Sequence, residues 1–269
     1  MIDYHVHSNY TDDAEGSIED YCRSAAEKNI EEICFTNHFI AKDILPQIRF
    51  KVEKIPDYIK DVESNRKRFN LTIKAGLEVD YWRSEHKAIE DILDRYPFDF
   101  ILGSVHFIDD HVISGYKEDA AKFFRNKSML EIYRAYFMRV IEIVESGLFD
   151  VLAHPDYIRK NVIMCFGQEL PFEKYREYAE KAVEALVDNN TGIEINTSGY
   201  FHGINDFYPS LEFLKLCIER GVKTITIGSD AHTPSKVGDR FEEAVERLKR
   251  AGCKKISSFD KRKPKELPL

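Results

Sequence analysis

Cysteine is scarce and dispersed in this chain. The 269 residues include five, at positions 22, 34, 165, 217 and 253. None form a Cys-x-x-Cys pair, and the count is odd. This excludes an all-thiolate metal site and a disulfide framework. Reduced, mostly buried thiols in a cytoplasmic protein are expected. Long apolar runs are also missing, since no stretch approaches the roughly 20 residues that span a bilayer. The start, Met1-Ile2-Asp3-Tyr4-His5, has neither the basic nor the apolar segment of a signal peptide. Positive charge is in deficit: 39 Lys and Arg against 47 Asp and Glu give a net charge of −8. An acidic balance without a basic stripe argues against long nucleic acids and anionic membranes, while allowing a local pocket for one phosphate. The one basic run, 261–265, lies beside prolines and reads as a solvated end.

What is present suits a globular protein. Hydrophobic residues make up 43% of the chain, enough for a sizeable core in one domain spanning 1–269. Short apolar runs at 2–4, 32–36, 72–78, 98–105, 150–153, 192–196 and 223–228 read as strands buried on both faces. Longer amphipathic stretches at 17–29, 52–69, 85–95, 128–146, 172–189, 210–220 and 236–251 read as helices. The first opens on a capping-box pattern from Ser17 to Asp20, and Gly147, Gly221 and Gly252 follow three of them as C-terminal caps. A short last strand is expected at 255–259. Seven βα repeats imply a parallel sheet closing into a distorted seven-stranded (βα)7 TIM-like barrel, with an open doubly wound sheet as the rival. The aromatic stretch 133–137 reads as core or interface, and nothing sets the oligomeric state.

The nine histidines are not scattered evenly. His5 and His7 end the first predicted strand and His38 the second. Glu78 ends the third, His106 the fourth and His154 the fifth. Asp230 and His232 follow the seventh. All these carboxyl ends open on one face of a parallel barrel. His5 and His7 have strand spacing, so both imidazoles can reach one ion; Asp230 and His232 repeat that spacing. Asp12 lies in the loop leaving the first strand, where an Asx-type turn with Asp13 is the plain alternative. His86 and His111 fall on predicted helix or loop and read as surface residues. Six imidazoles and three carboxylates exceed one tetrahedral site. They suit two or three divalent ions with a bridging carboxylate, and favour zinc, iron or manganese over calcium.

The segments His5-Val6-His7-Ser8, Thr36-Asn37-His38, Gly76-Leu77-Glu78-Val79-Asp80, Gly103-Ser104-Val105-His106-Phe107, Ala153-His154-Pro155-Asp156 and Gly228-Ser229-Asp230-Ala231-His232 together resemble the PHP (polymerase and histidinol phosphatase) family. The resemblance runs from residue 2 to about 240. Glu194-Ile195-Asn196-Thr197-Ser198-Gly199, followed by Tyr208-Pro209-Ser210, further resembles its histidinol-phosphatase branch. The resemblance implies a seven-stranded barrel with a trinuclear site. His5, His7, Glu78 and Asp230 would surround one ion. Glu78 would bridge to a second, held also by His106 and His154. Asp12, His38 and His232 would hold the third. The family usually has Thr-Asp-His where this chain has Thr36-Asn37-His38, a change expected to touch only a contact behind the ligand. Glu78, Asp230 and His232 are the expected catalytic set.

The implied reaction is hydrolysis of a small phosphate monoester, such as L-histidinol phosphate, by a hydroxide generated between two metals. The leaving oxygen would be protonated by a metal-bound water or by His202. The branch typically continues into a basic segment where this chain has Tyr200-Phe201-His202-Gly203. The substrate contacts expected instead are Arg159 as the phosphate clamp, His202 as a weaker partner, and Glu15 for a cationic part of the substrate. Two alternatives are a phosphatase or phosphodiesterase acting on a short nucleotide, and a metal-storing or regulatory binding protein. Ligands at the open face favour chemistry over storage.

Overall fold

The protein is described from a computed structural model covering residues 1–44 and 50–269. In chain order it comprises β1 (Ile2–Val6), α1 (Ile18–Glu27), β2 (Glu32–Ile40), α2 (Ile55–Arg66), β3 (Thr72–Asp80), α3 (His86–Arg95) and β4 (Phe100–Ser104). A small hairpin, β5 (Phe107–Ile108) and β6 (His111–Val112), then leads into α4 (Lys117–Phe124) and α5 (Met129–Glu145). The second half runs β7 (Val151–Leu152), α6 (Ile158–Phe166), α7 (Phe172–Asp188), β8 (Gly192–Asn196), α8 (Leu211–Arg220), β9 (Ile225–Gly228) and α9 (Phe241–Arg250), ending in β10 (Lys255–Asp260) and β11 (Lys263–Pro268).

The strands form one seven-stranded parallel sheet in the order β1-β2-β3-β4-β7-β8-β9. It curls until its edges meet. A single parallel bridge joins Val6 to Ala231, and the His7 N–H donates to the Ala231 carbonyl at 3.0 Å. The result is the nearly closed, distorted barrel expected from the βα alternation, not the open sheet. The distortion shows in strand length: β2 and β3 pair in register over nine residues, whereas β7 has two.

Local chemistry accounts for the helix ends. Ser17 and Asp20 bond each other's backbone N–H at 3.3 and 2.8 Å, and Ser128 with Glu131 repeats this capping box at the start of α5. Gly147 and Gly221 sit at positive φ just past α5 and α8, where a side chain would strain the turn. Helices α4 and α6 and the β5–β6 hairpin were not expected. They are short additions after the fourth and fifth strands. Tyr133, Tyr136 and Phe137 of α5 are buried, so that aromatic stretch is core.

The amino end of the barrel is plugged by the C-terminal hairpin. Tyr4 of β1 meets Phe100 of β4 edge-on at 4.9 Å, across the interior, and Phe259 of β10 packs on Phe100 at 4.7 Å. The expectation that 261–265 is a solvated end holds only in part. Lys263 and Lys265 are exposed on β11, but Arg262 donates to the Leu148 carbonyl at 2.6 Å and pairs with Asp150 at 3.1 Å. A charge run says nothing about which of its members has a carboxylate waiting. The five cysteines are all free. No helix among the described residues is long and apolar enough to cross a membrane.

Candidate metal centre

The carboxyl ends of the strands deliver their polar residues to one buried point. Glu78, 1% exposed, lies at its middle. Its Oε1 is 2.9 Å from His154 Nε2 and 3.5 Å from His106 Nε2. Its Oε2 is 2.8 Å from His38 Nδ1, 3.4 Å from His5 Nε2 and 3.6 Å from His7 Nε2. Asp230 joins the same imidazoles, with Oδ1 3.3 Å from His7 Nε2 and 3.6 Å from both His5 Nε2 and His232 Nδ1. Two strands reach further into this region than expected. β2 runs to Ile40 and β3 to Asp80, so His38 and Glu78 stand within strands and not at their ends.

Partners behind the imidazoles fix how they point. His5 Nδ1 lies 2.8 Å from Glu194 Oε1, His106 Nδ1 lies 3.0 Å from Asp80 Oδ2, and His232 Nδ1 lies 3.0 Å from the Asp230 carbonyl. Each contact places an N–H on Nδ1 and turns Nε2 toward the centre. Asn37 takes up the place of the usual aspartate by accepting from Ser8 N–H at 2.8 Å and from its hydroxyl at 3.1 Å.

So many groups of mixed sign in a dry site do not balance by themselves. Burial alone would raise the Glu78 carboxyl, yet His5, His106 and His38 hold it well below the usual carboxylate range. Burial would lower His5, but Glu194, Glu78 and Asp230 carry it well above the ordinary histidine value. Next to it, burial and the neighbouring His232 and His38 push His7 down to about 3. His5 Nε2 and His7 Nε2 face each other at 3.1 Å, and Glu78 Oε2, His7 Nδ1 and His154 Nδ1 are buried without a hydrogen-bond partner. A carboxylate oxygen or an unprotonated ring nitrogen left without a partner is what a cation would satisfy. Among the described residues four triplets have ligand atoms within 4.8 Å of one another: His7, His38 and His232; His5, Glu78 and His154; His5, His7 and Asp230; His38, Glu78 and His106. The donor set, imidazole with carboxylate, fits zinc, iron or manganese.

Two expectations need correction. Asp12 is exposed, and the carboxylate that reaches the centre is Asp13, 3.3 Å from His38 Nε2 and 3.7 Å from His232 Nε2. Ala14 N–H closes a turn onto the Thr11 carbonyl at 3.4 Å, with Asp12 and Asp13 as its two central residues. Arg159 is not free to clamp a phosphate. It is 4% exposed, and its donors go to Glu169 at 2.8 Å, Asp206 at 2.9 Å and the Phe207 carbonyl at 3.0 Å. On its neighbour Lys160, Nζ donates to the Ser114 carbonyl at 2.8 Å and to Tyr157 Oη at 3.1 Å, and its charge is felt at both Asp230 and His202. Glu15 is exposed beside the site, its backbone N–H donating to the His232 carbonyl at 2.9 Å.

His202 does reach this neighbourhood. Its ring stands edge-on to Tyr157 at 5.5 Å, and Nδ1 lies 3.3 Å from Tyr208 Oη. Burial, with Lys160 beside it, pushes it down to about 3, so it is neutral at physiological pH. Sequence reasoning missed Asp13, Asp80, Lys160 and Glu194. Asp80 and Glu194 stood inside segments already singled out, and Asp80 has the strand period with Glu78. Nothing local marked Lys160 over Arg159. The remaining histidines lie apart: His86 bonds Tyr81 Oη at 3.1 Å, and His111 is exposed.

Comparison with known proteins agrees with this geometry. The chain is similar to a histidinol-phosphatase of Lactococcus lactis subsp. lactis, with 29% identity covering 96% of this chain and 94% of that one. It is similar also to a probable histidinol-phosphatase of Deinococcus radiodurans, with 28% identity over 96% of both chains. Among solved structures, that of the histidinol phosphate phosphatase from Lactococcus lactis subsp. lactis, complexed with zinc, L-histidinol and phosphate, superposes with a TM-score of 0.84. It covers 98% of both chains at 26% identity. The PHP domain family matches residues 3–198; with the barrel and the histidine and acid cluster at its mouth, this chain belongs to the PHP domain family.

Proposed function

We infer that this protein is a metal-dependent phosphate monoester hydrolase whose substrate is L-histidinol phosphate. The observation that carries this reading is the convergence of five imidazoles, those of His5, His7, His38, His106 and His154, on the buried carboxylate of Glu78, with Asp230, His232 and Asp13 around them. The full-length likeness to an enzyme holding zinc, L-histidinol and phosphate supports the substrate. His5, His7, Glu78 and Asp230 would hold one ion and Glu78, His106 and His154 a second. His38, His232 and Asp13 are the candidates for a third. Zinc suits the donors, as do manganese and iron. Bound divalent ions supply a nucleophilic hydroxide at neutral pH and offset charge on the phosphoryl oxygens.

The chain's own residues do the rest. Lys160, half-buried beside Asp230 and His202, supplies the positive charge that the Tyr200–Gly203 segment lacks, and meets a phosphate as a point charge. Neutral His202 offers one hydrogen bond, and its ring with Tyr157 and Tyr208 forms an aromatic wall suited to a planar leaving group. The reduced cysteines are consistent with a cytoplasmic setting.

The test is phosphate release from L-histidinol phosphate and from a panel including nucleotide and sugar monoesters. The protein would first be stripped by a chelator and then reloaded with zinc, manganese or iron. Release restored by metal, fastest on L-histidinol phosphate, is the expected result. A reloaded protein inert on that ester but active on a nucleotide would reject the substrate. Inertness on every ester would reject the hydrolase reading.

A further inference from the structure

Strand β8 is the one strand of the barrel that sends no residue into the candidate ligand set. Its end instead carries a buried polar file. Glu194 and Asn196 are two residues apart and so point the same way, and both are 0% exposed. Glu194 Oε1 accepts from His5 Nδ1 at 2.8 Å, while Oε2 accepts from the His154 backbone N–H at 2.8 Å and from Asn196 Nδ2 at 3.0 Å. Asn196 Oδ1 accepts from Ser198 N–H at 2.9 Å and from its hydroxyl at 2.7 Å; that hydroxyl also lies 3.1 Å from Asp230 Oδ2. One continuous network thus touches His5, His154 and Asp230.

Two further observations show that the contact is built. His154 has φ +27°, a value that non-glycine residues rarely adopt, and its N–H in that conformation is taken by Glu194. On β9, a Cβ at Gly228 would lie 2.0 Å from Glu194 Oε1 and 2.4 Å from His5 Cβ, so only glycine lets the carboxylate reach the ring.

We propose that Glu194, with Asn196 and Ser198, positions ligands on both sides of Glu78 at once, so that the ions of this centre are held as a linked set. This rests on the metal-centre reading above and not on the identity of the substrate. The chemistry singles out the carboxylate. As an acceptor on both oxygens it fixes His5 with the proton on Nδ1 and the lone pair of Nε2 facing the metals. A glutamine cannot do both jobs. With its amide N–H₂ toward His5, the imidazole proton moves to Nε2 and the metal loses its donor. Turned the other way, the N–H₂ opposes the His154 N–H.

The experiment uses the full chain and zinc as the probe. Zinc affinity and ions per chain are measured by competition with chelators for the parent, Glu194→Gln and Ser198→Ala. The tautomer of His5 is read from its ring ¹⁵N shifts in protein labelled at histidine. In Glu194→Gln, zinc affinity is expected to fall roughly 10–100-fold, with more than one ion leaving in the same step and the His5 proton on Nε2. Ser198→Ala is expected to weaken zinc about 3–10-fold, the effect of one hydrogen bond. Parental zinc affinity in Glu194→Gln overturns the proposal, as does loss of one ion while the others stay at parental affinity. Should Glu194→Gln fail to fold, Ser198→Ala decides, and an unchanged affinity there is also a refutation. None of these readouts uses phosphate release, so they stand whatever ester the protein hydrolyses.

Discussion

Glu78 and His38 are register partners on adjacent parallel strands, and their side chains meet with His38 Nδ1 2.8 Å from Glu78 Oε2. In-register neighbours in a parallel sheet point to the same side. No loop has to close for this pair to form, so the heart of the centre is set by strand pairing itself.

Glu78→Gln keeps the shape of that residue and removes its charge. Zinc content is expected to fall by at least one ion per chain. Turnover of L-histidinol phosphate should drop by roughly 10²-fold or more, as expected when a key electrostatic group is lost. Elemental analysis beside a phosphate-release assay measures both. Full metal content with parental turnover would remove Glu78 from the centre.

The adjacent acids Asp12 and Asp13 give a sharper comparison. Asp13→Ala should weaken metal binding about 10-fold or more, because its carboxylate faces His38 and His232. Asp12→Ala, at an exposed position, should leave binding unchanged. Chelator competition on the two variants reads the difference, and the reverse order would mean that the turn presents Asp12 instead.

Arg159 and Lys160 are neighbours with opposite expected phenotypes. Arg159→Met leaves Asp156 buried without its cation and should cost roughly 3 kcal/mol of stability, visible in urea unfolding of the metal-free protein. Lys160→Met should unfold like the parent yet raise KM for the phosphate ester about 10-fold, the loss of one charged contact. A stable Arg159→Met with a raised KM would return the clamp role to the arginine.

His202 gives a pH signature. Its folded value of about 3 lies below the ordinary histidine value, with burial as the main cause. Between pH 6.5 and 3 the unfolded chain therefore binds a proton that the folded chain refuses. Stability from this group is present above pH 6.5 and lost as the pH falls. Comparing thermal unfolding of metal-free parent and His202→Gln should show the parent losing about 1–2 kcal/mol more between pH 6.5 and 5. Parallel curves would mean that His202 titrates normally.

The barrel was readable from the sequence because buried parallel strands are near-continuous apolar runs and helices keep their own period. Glycines at 147, 221 and 252 marked three helix ends in advance, and all take positive φ. The short helices α4 and α6 were not readable. They pack on each other, as in the stacked rings of Phe124 and Phe166 at 6.1 Å, a contact which no window of sequence contains.

The sequence by itself determined that ligand-type residues cluster at the carboxyl ends of strands, because strand position and two-residue spacing are local properties. Tertiary structure alone decided which partner each residue meets. Asp13, the second of two adjacent acids in a turn, is the one that comes within 3.3 Å of His38 Nε2. Arg159 is consumed by Glu169 and Asp206 while Lys160 is left beside the site. Glu194 reaches His5 because Gly228 leaves room for it. These are contacts between segments far apart in the chain, and their energies come from burial and hydrogen bonding that exist only once the barrel has closed.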